Sequence, residues 1–362
     1  MRARFSLMVL AAAVLALSAC PAPRGPSPAP PVADGAGGWD GAGTDGRPMV
    51  RTWPVMGAVL QLSVWDADSA RALAAMEAAR AAVFRADSLM SVDQAGSEVS
   101  AVNRRAGTDS ATALSPWTAA VLDSALSIAA AAGGAVDVDG GGRQVRFDRA
   151  TRRASLPGRG MRVDFGGVAR GFAVDRARDA LRAAGVRRAV VDLGGSFAVL
   201  GAGPVGPRWS VALENPFQPG QVFAALQLDS GAAATVGDSA PPGVRADRPA
   251  HGIASVSVIA PSAVLAVALS RAFFMMGPRE GCRLAARYPG VDAVWVRAPG
   301  AEEREDEERD ADDGVDPELV VITDALADRL ELLSEEPTDE RPTRCSELLS
   351  ARGADAVTPR PR

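Results

Sequence analysis

The alternation of apolar and polar positions divides the chain into short strands separated by four longer helices. Val59-Leu60-Gln61-Leu62-Ser63-Val64 has the period of two expected of a half-buried strand. Residues 209–216, 222–228, 253–259, 291–296 and 319–322 also read as strands. A period near 3.6 predicts a helix over 69–88, with Leu73, Met76, Val83 and Phe84 inward. Ser115 caps and Pro116 opens a second, with Trp117, Val121, Ala125 and Ile128 on one face and Gly133-Gly134 at its end. Ser262 caps another over 263–276, apolar almost all round and therefore expected in the core, with Gly277-Pro278 as its stop. A short helix is predicted over 323–333.

Residues 161–201 combine both periods. Val163-Asp164-Phe165 reads as a strand entering the turn Gly166-Gly167, and a helix follows with Val174, Ala177, Leu181 and Ala184 on one face. Gly185 ends that helix; Ala189–Leu193 is the next strand, stopped by Gly194-Gly195. Two strands that each end in Asp-apolar-Gly-Gly are expected to bring two turns and two carboxylates, Asp164 and Asp192, close together. Glycine turns opening onto a helix N-terminus let backbone N–H groups approach an anion. Taken alone, either turn reads equally as an ordinary tight turn of an α/β unit. The pattern is neither GxGxxG nor a P-loop, so nicotinamide and P-loop folds are not supported.

Composition changes the picture in two places. The chain has 362 residues, 47% apolar, enough for one large domain or two small ones with a real core. Its net charge of −5 is concentrated in residues 301–318, where eleven Asp/Glu face two Arg, and this run reads as a solvated insertion. The remainder is near neutral, so no nucleic-acid partner is expected. At the N-terminus, Arg2 and Arg4 precede the apolar run Phe5–Leu17, followed by Ser18-Ala19-Cys20. This resembles a bacterial lipoprotein signal, with Cys20 as the lipidated residue and the protein exported and membrane-anchored, facing the periplasm or the cell exterior. The expected organisation is a signal over 1–20, a Pro/Gly/Ala-rich tether over 21–48, one domain over 49–336 and a disordered tail over 337–362. Cys282 and Cys345 are the other cysteines, and the sequence leaves open whether they pair.

The order D-F-G-G-V-A-R-G-F-A-V-D from Asp164, followed by V-V-D-L-G-G from Val190, resembles the signature of the FAD:protein FMN transferases, the ApbE-like family. Met56-Gly57, Ser97-Glu98-Val99-Ser100 with Asn103, Gly134-Ala135-Val136-Asp137 and Ala234-Thr235-Val236-Gly237-Asp238 resemble further family segments. Ala58, Asp93, Asp139 and Val236 stand where the family usually has Thr, Tyr, Thr and Ser. The resemblance implies an α+β (mixed α/β) fold with mixed sheets flanked by helices. It also implies an activity, transfer of the FMN part of FAD to a Thr or Ser of a partner flavoprotein, with release of AMP. Carried over residue by residue, it places Met56, Ala135, Val136, Asp137, Asp164 and Arg170 against FAD and gives the Gly167 carbonyl to Mg²⁺. The Asp and Thr that would hold the rest of the metal correspond to Val267 and Arg271, and no Asp or Glu lies between Arg248 and Arg279. The usual metal site is therefore expected to be broken, and Arg271 reads either as a structural ion pair with a carboxylate such as Asp164 or Asp192 or as meeting the pyrophosphate in the metal's place. Two functions stay open, a working transferase and a non-catalytic FAD- or partner-binding lipoprotein. His251, the sole histidine, reads as a loop residue.

Overall fold

In chain order the strands begin with the hairpin β1 (Met49–Val55) and β2 (Ala58–Val64), then the short β3 (Thr112–Ala113), β4 (Arg146–Asp148) and β5 (Arg153–Ser155). They continue as β6 (Ala189–Leu193), β7 (Ser196–Leu200), β8 (Trp209–Glu214), β9 (Val222–Leu228), β10 (Gly231–Gly237) and β11 (Ile253–Ala260). The last are β12 (Asp292–Arg297), β13 (Val320–Ile322), β14 (Leu330–Leu332) and β15 (Thr343–Arg344). The helices are α1 (Ser69–Met90), α2 (Glu98–Arg104), α3 (Pro116–Ala131), α4 (Gly166–Ala183), α5 (Ala263–Ala285) and α6 (Cys345–Ser350). This computed structural model describes residues 47–134, 145–204, 206–218, 220–237, 252–299, 315–333 and 341–351. Cys20, the tether, Ala135, Val136, Asp137, Asp139, His251 and most of the acidic run lie outside the described residues.

Nine strands form one sheet in the order β1-β2-β6-β7-β10-β11-β12-β13-β15, antiparallel except for the parallel pair β13–β15. Two three-stranded sheets, β14-β9-β8 and β3-β5-β4, accompany it. The mixed-sheet α+β fold agrees with the sequence expectation. Strand alternation separates two cores. Leu60, Leu62, Val191, Leu193, Ala234, Val256 and Val258 pack under the helices. Val199, Ala233, Ile259, Val294 and Val296 pack against Trp209, Leu213, Phe223 and Leu226 of the second sheet.

Two helices meet unusually closely. On α4, Gly167, Gly171 and Asp175 are spaced by four and share a face. On α5, Ala263, Val267 and Arg271 have the same spacing. A Cβ added to Gly171 would stand 2.6 Å from the Ala263 carbonyl oxygen, so only glycine permits this approach. Asp175, buried, accepts from the backbone N–H groups of Ala263 (2.9 Å) and Val264 (3.0 Å) at the start of α5 and is paired with Arg178. Ser262 completes that helix end by accepting from Leu265 N–H.

The structure corrects several expectations. Val163–Phe165 is not a strand: the Asn103 side chain donates to the Val163 carbonyl and accepts from its N–H, satisfying both groups without a ladder. The inner face of α1 is lined by Ala72, Ala75, Met76, Ala79, Val83 and Ala86, while Phe84 is exposed beneath the Arg80 guanidinium. Gly277 interrupts α5 where the sequence placed its stop (φ 75°, ψ 174°), and what the sequence did not foresee is the second helical stretch that Pro278 opens and that runs to Ala285. Residues 323–333 hold a 3-10 turn and β14 rather than an α-helix. Within the tail expected to be disordered, residues 341–351 are structured: β15 pairs with β13, and α6 is fastened to α5 by a Cys282–Cys345 disulfide.

That bond closes a loop across a sequence separation of 63 residues. Loop-closure entropy for such a ring amounts to about 4 kcal/mol in the unfolded chain. Reduction, or the Cys282→Ser/Cys345→Ser pair, is expected to lower the thermal midpoint and speed amide exchange in α6. An unchanged midpoint and unchanged α6 exchange would contradict this.

Candidate functional site

Four backbone segments converge at one end of the large sheet. The first is the two-residue turn of the β1–β2 hairpin, where Met56 (φ 53°) and Gly57 (φ 68°) are both left-handed, as a type I′ connection requires. The second is the β6–β7 turn at Gly194-Gly195, also left-handed. A Cβ on Gly194 would lie 2.8 Å from the Ala58 side chain and 3.7 Å from Nη1 of Arg170, so the two turns touch with Arg170 beside them. The third is the start of α4, where the Asp164 carboxylate accepts from Gly166 N–H at 2.8 Å and fixes the turn. The fourth is α5. A Cβ on Gly166 would meet Nη1 of Arg271 at 3.3 Å; one on Gly167 would meet Val267 Cγ1 at 2.9 Å and Arg271 Nη2 at 3.5 Å.

Asp164, Arg170, Gly167, Val267 and Arg271 are thus near one another, with Met56 and Ala58 on the adjoining turn. Arg170 is buried, and its guanidinium is pushed below its ordinary pKa by that burial and then by the charge of Arg271, with Asp164 opposing both. Arg170 and Arg271 thus stand near the glycine backbones at the start of α4, the positive end of that helix.

Asp192 does not join this cluster. Its strand neighbours Val191 and Leu193 face the helices, so alternation sends Asp192 to the opposite face. There it lines a cavity with Gln61, Ser63, Phe197, Trp209 and Ser210. The expected pair of neighbouring carboxylates is therefore corrected: Asp164 lies with the guanidinium groups, and Asp192 does not. The Gly195 N–H donates to Asp192 at 3.1 Å, so this side chain braces the glycine turn from behind.

Sequence reasoning missed two supporting residues. Asn103 holds the segment before Asp164, and Asp175 sets α5 in register. The four-residue spacing of Gly167, Gly171 and Asp175 was the available signal for the second. The Ser97–Ser100 segment is engaged in local bonding: Ser97 and Ser100 hydroxyls donate to the carbonyls of Ser91 and Val92, and Glu98 accepts from Ser115 at the α3 cap.

The described residues do not fit a divalent metal at Gly167. Hard cations need several oxygen ligands, and here Gly167 is faced by an aliphatic side chain and a guanidinium. Among the described residues no group of three Asp, Glu, His or Cys could hold a metal ion.

A family model described as the ApbE family matches residues 56–142, 140–241 and 243–295, well over half of the chain. The chain belongs to the ApbE family. It is 32% identical over 161 residues to an FAD:protein FMN transferase of Treponema pallidum and 35% identical over 156 residues to one of Rhodobacter capsulatus. These alignments cover 38% and 40% of the chain but only 44% and 29% of those proteins, so the chain matches less than half the length of either relative. Among solved structures, the ApbE protein of Thermotoga maritima superposes with a TM-score of 0.59 at 24% identity, over 73% of this chain and all of that one. The flavin transferase ApbE of Vibrio cholerae gives a TM-score of 0.59 at 21% identity, over 69% and 93%. These likenesses establish a shared ApbE fold.

The brace behind the glycine turn has a pH signature. Burial pushes the Asp192 carboxyl up to about 6 from 3.8, against the Gly195 hydrogen bond. A carboxyl raised in the folded state keeps its proton there while the unfolded chain releases it, so stability falls as pH rises through that window. The loss is roughly 2–3 kcal/mol above the window. Asp192→Asn is therefore expected to raise the thermal midpoint at pH 7 and to make no difference near pH 4. An offset that is the same at both pH values would show that the carboxyl ionises normally.

Proposed function

We propose that this chain is an FAD:protein FMN transferase that takes FAD at the site between the glycine turns and α5. The observation that carries this reading is the meeting of Asp164, Arg170 and the turns Gly166-Gly167 and Gly194-Gly195 at one sheet end. Asp164 and Arg170 are positions that the family resemblance places against FAD. The reaction is attack by a Thr or Ser hydroxyl of a partner flavoprotein on the FMN-side phosphorus. The bond from that phosphorus to the bridging oxygen breaks, AMP leaves with that oxygen, and the hydroxyl proton goes to a base or solvent. This chain's own contribution is positioning and charge neutralisation of the diphosphate by Arg170 and Arg271, the main demands of a phosphoryl transfer. Asp164 keeps the Gly166 turn in shape, and no step is assigned to a metal.

Val267 and Arg271 favour a second reading, in which the same site binds FAD and no longer transfers FMN. A divalent ion would neutralise charge on the diphosphate in such a transfer, and the described residues at Gly167 do not accommodate one.

The N-terminal sequence supports export as a lipoprotein anchored through Cys20, and the Cys282–Cys345 disulfide suits an oxidising compartment. Cys20→Ser is expected to move the protein from the membrane to the soluble fraction or to arrest signal processing. Unaltered membrane partition would rule out the anchor.

The two functional readings separate in one experiment. The purified protein, FAD, Mg²⁺ and an acceptor flavoprotein domain are incubated, and the acceptor is weighed by mass spectrometry. An added FMN mass, lost when the acceptor hydroxyl is removed, supports the transferase. Bound FAD without an added mass supports the second reading, and no FAD binding defeats both.

A further inference from the structure

We propose that the cavity between the large sheet and β8 is a second ligand site, which takes a small organic cation: a protonated amine carried on an apolar body. It lies on the face of the sheet away from the helices and does not depend on the FAD reading. Two cross-strand rows form its floor. Gln61, Asp192 and Phe197 stand in register across β2, β6 and β7, and Ser63, Val190 and Val199 form the next row. Strand β8 covers them with Trp209, Val211 and their neighbours. The space measures about 510 Å³ with its open mouth included, within the range of small-molecule pockets.

Asp192 makes the ligand a cation. Its carboxylate is buried, and among the described residues its one hydrogen bond is the 3.1 Å contact from the Gly195 N–H. No other charged side chain occurs on β2, β6 or β7, and β8 carries only Glu214, exposed at its end. Arg188 shares the parity of Asp192 four residues earlier, but it is not among the described residues that line the cavity. Burial and the Gly195 bond are what set the Asp192 pKa. The carboxylate is therefore desolvated without a counter-charge, and a bound ammonium supplies one together with hydrogen bonds. An ammonium has three N–H donors, and the floor offers acceptors at Asp192, Gln61 and Ser63. The rest of the lining is aliphatic or aromatic. A bare metal ion would leave it uncovered, whereas an apolar body covers it, and the Phe197 ring next to Asp192 favours an ammonium further.

The test compares benzylamine with benzyl alcohol, which share a body and differ at the polar group. Each is titrated into the purified full-length protein at pH 8, above the value of about 6 to which burial raises the Asp192 carboxyl. The readout is the indole N–H signal of Trp209, assigned through Trp209→Phe. Benzylamine is expected to move this signal saturably and to bind at least about tenfold more tightly than benzyl alcohol, the scale of a hydrogen bond to a charged group. Ammonium chloride, a cation without the apolar body, is expected to leave the signal in place. Asp192→Asn keeps an acceptor for the Gly195 N–H and is expected to bind the two compounds equally; its thermal midpoint reports whether it folds. Equal binding of both compounds by unmodified protein, no response to benzylamine, or a matching response to ammonium chloride overturns the proposal. A folded Asp192→Asn that still prefers benzylamine overturns it too. The comparison on unmodified protein decides the matter if the variant does not fold.

Discussion

The close contact between α4 and α5 is the constraint on which the site depends. It exists because Gly171 lets the Ala263 backbone approach to a distance that any side chain would forbid. Asp175 then converts proximity into register, since its carboxylate takes both N–H groups at the start of α5. Once Ala263 is fixed against Gly171, the four-residue repeat puts Val267 beside Gly167 and Arg271 over the Gly166 turn. The chemistry at the sheet end is thus set by a packing decision made two turns away. Burial of Asp175 raises its pKa despite the two backbone bonds, so the same residue that orders the helices is held there against its own desolvation.

The sheet supplies the other half of the frame. Hairpins β1–β2 and β6–β7 are neighbours, so their turns arrive side by side, and Ala58 packs where Gly194 lacks a side chain. Strand alternation gives β6 two separate duties. Val191 and Leu193 anchor it under the helices, while Asp192 faces the second sheet and steadies the turn through Gly195. Among the described residues the basic groups of the cluster are Arg170 and Arg271, in a chain that contains no lysine.

Much of this was legible in the sequence, and the reasons differ by residue. The Asp-apolar-Gly-Gly turns declared themselves because left-handed backbone at Gly194 and Gly195 leaves few alternatives to glycine. The departure at Val267 and Arg271 was visible because an arginine on an otherwise apolar half-helix breaks a simple pattern. The facing of Asp192 was not foreseen, although period two required it: Asp192 shares a parity with Val190, away from the helices. Val163–Phe165 looked like a strand because local composition does not reveal that Asn103, 60 residues earlier, already satisfies its backbone. The order in the tail was likewise non-local, since a six-residue helix has little stability of its own until a disulfide joins it to α5.

The kink at Gly277 divides α5 into two mechanical units. The first carries Val267 and Arg271; the second, opened by Pro278, lies over Trp295 and receives the tail through Cys282. Helical hydrogen bonding does not run continuously through the break, so motion or sequence drift at the C-terminus has a poor route to the arginine. The disulfide therefore ties the tail to the part of α5 beyond the break, and not to the part that sets Val267 and Arg271 against the glycine turn.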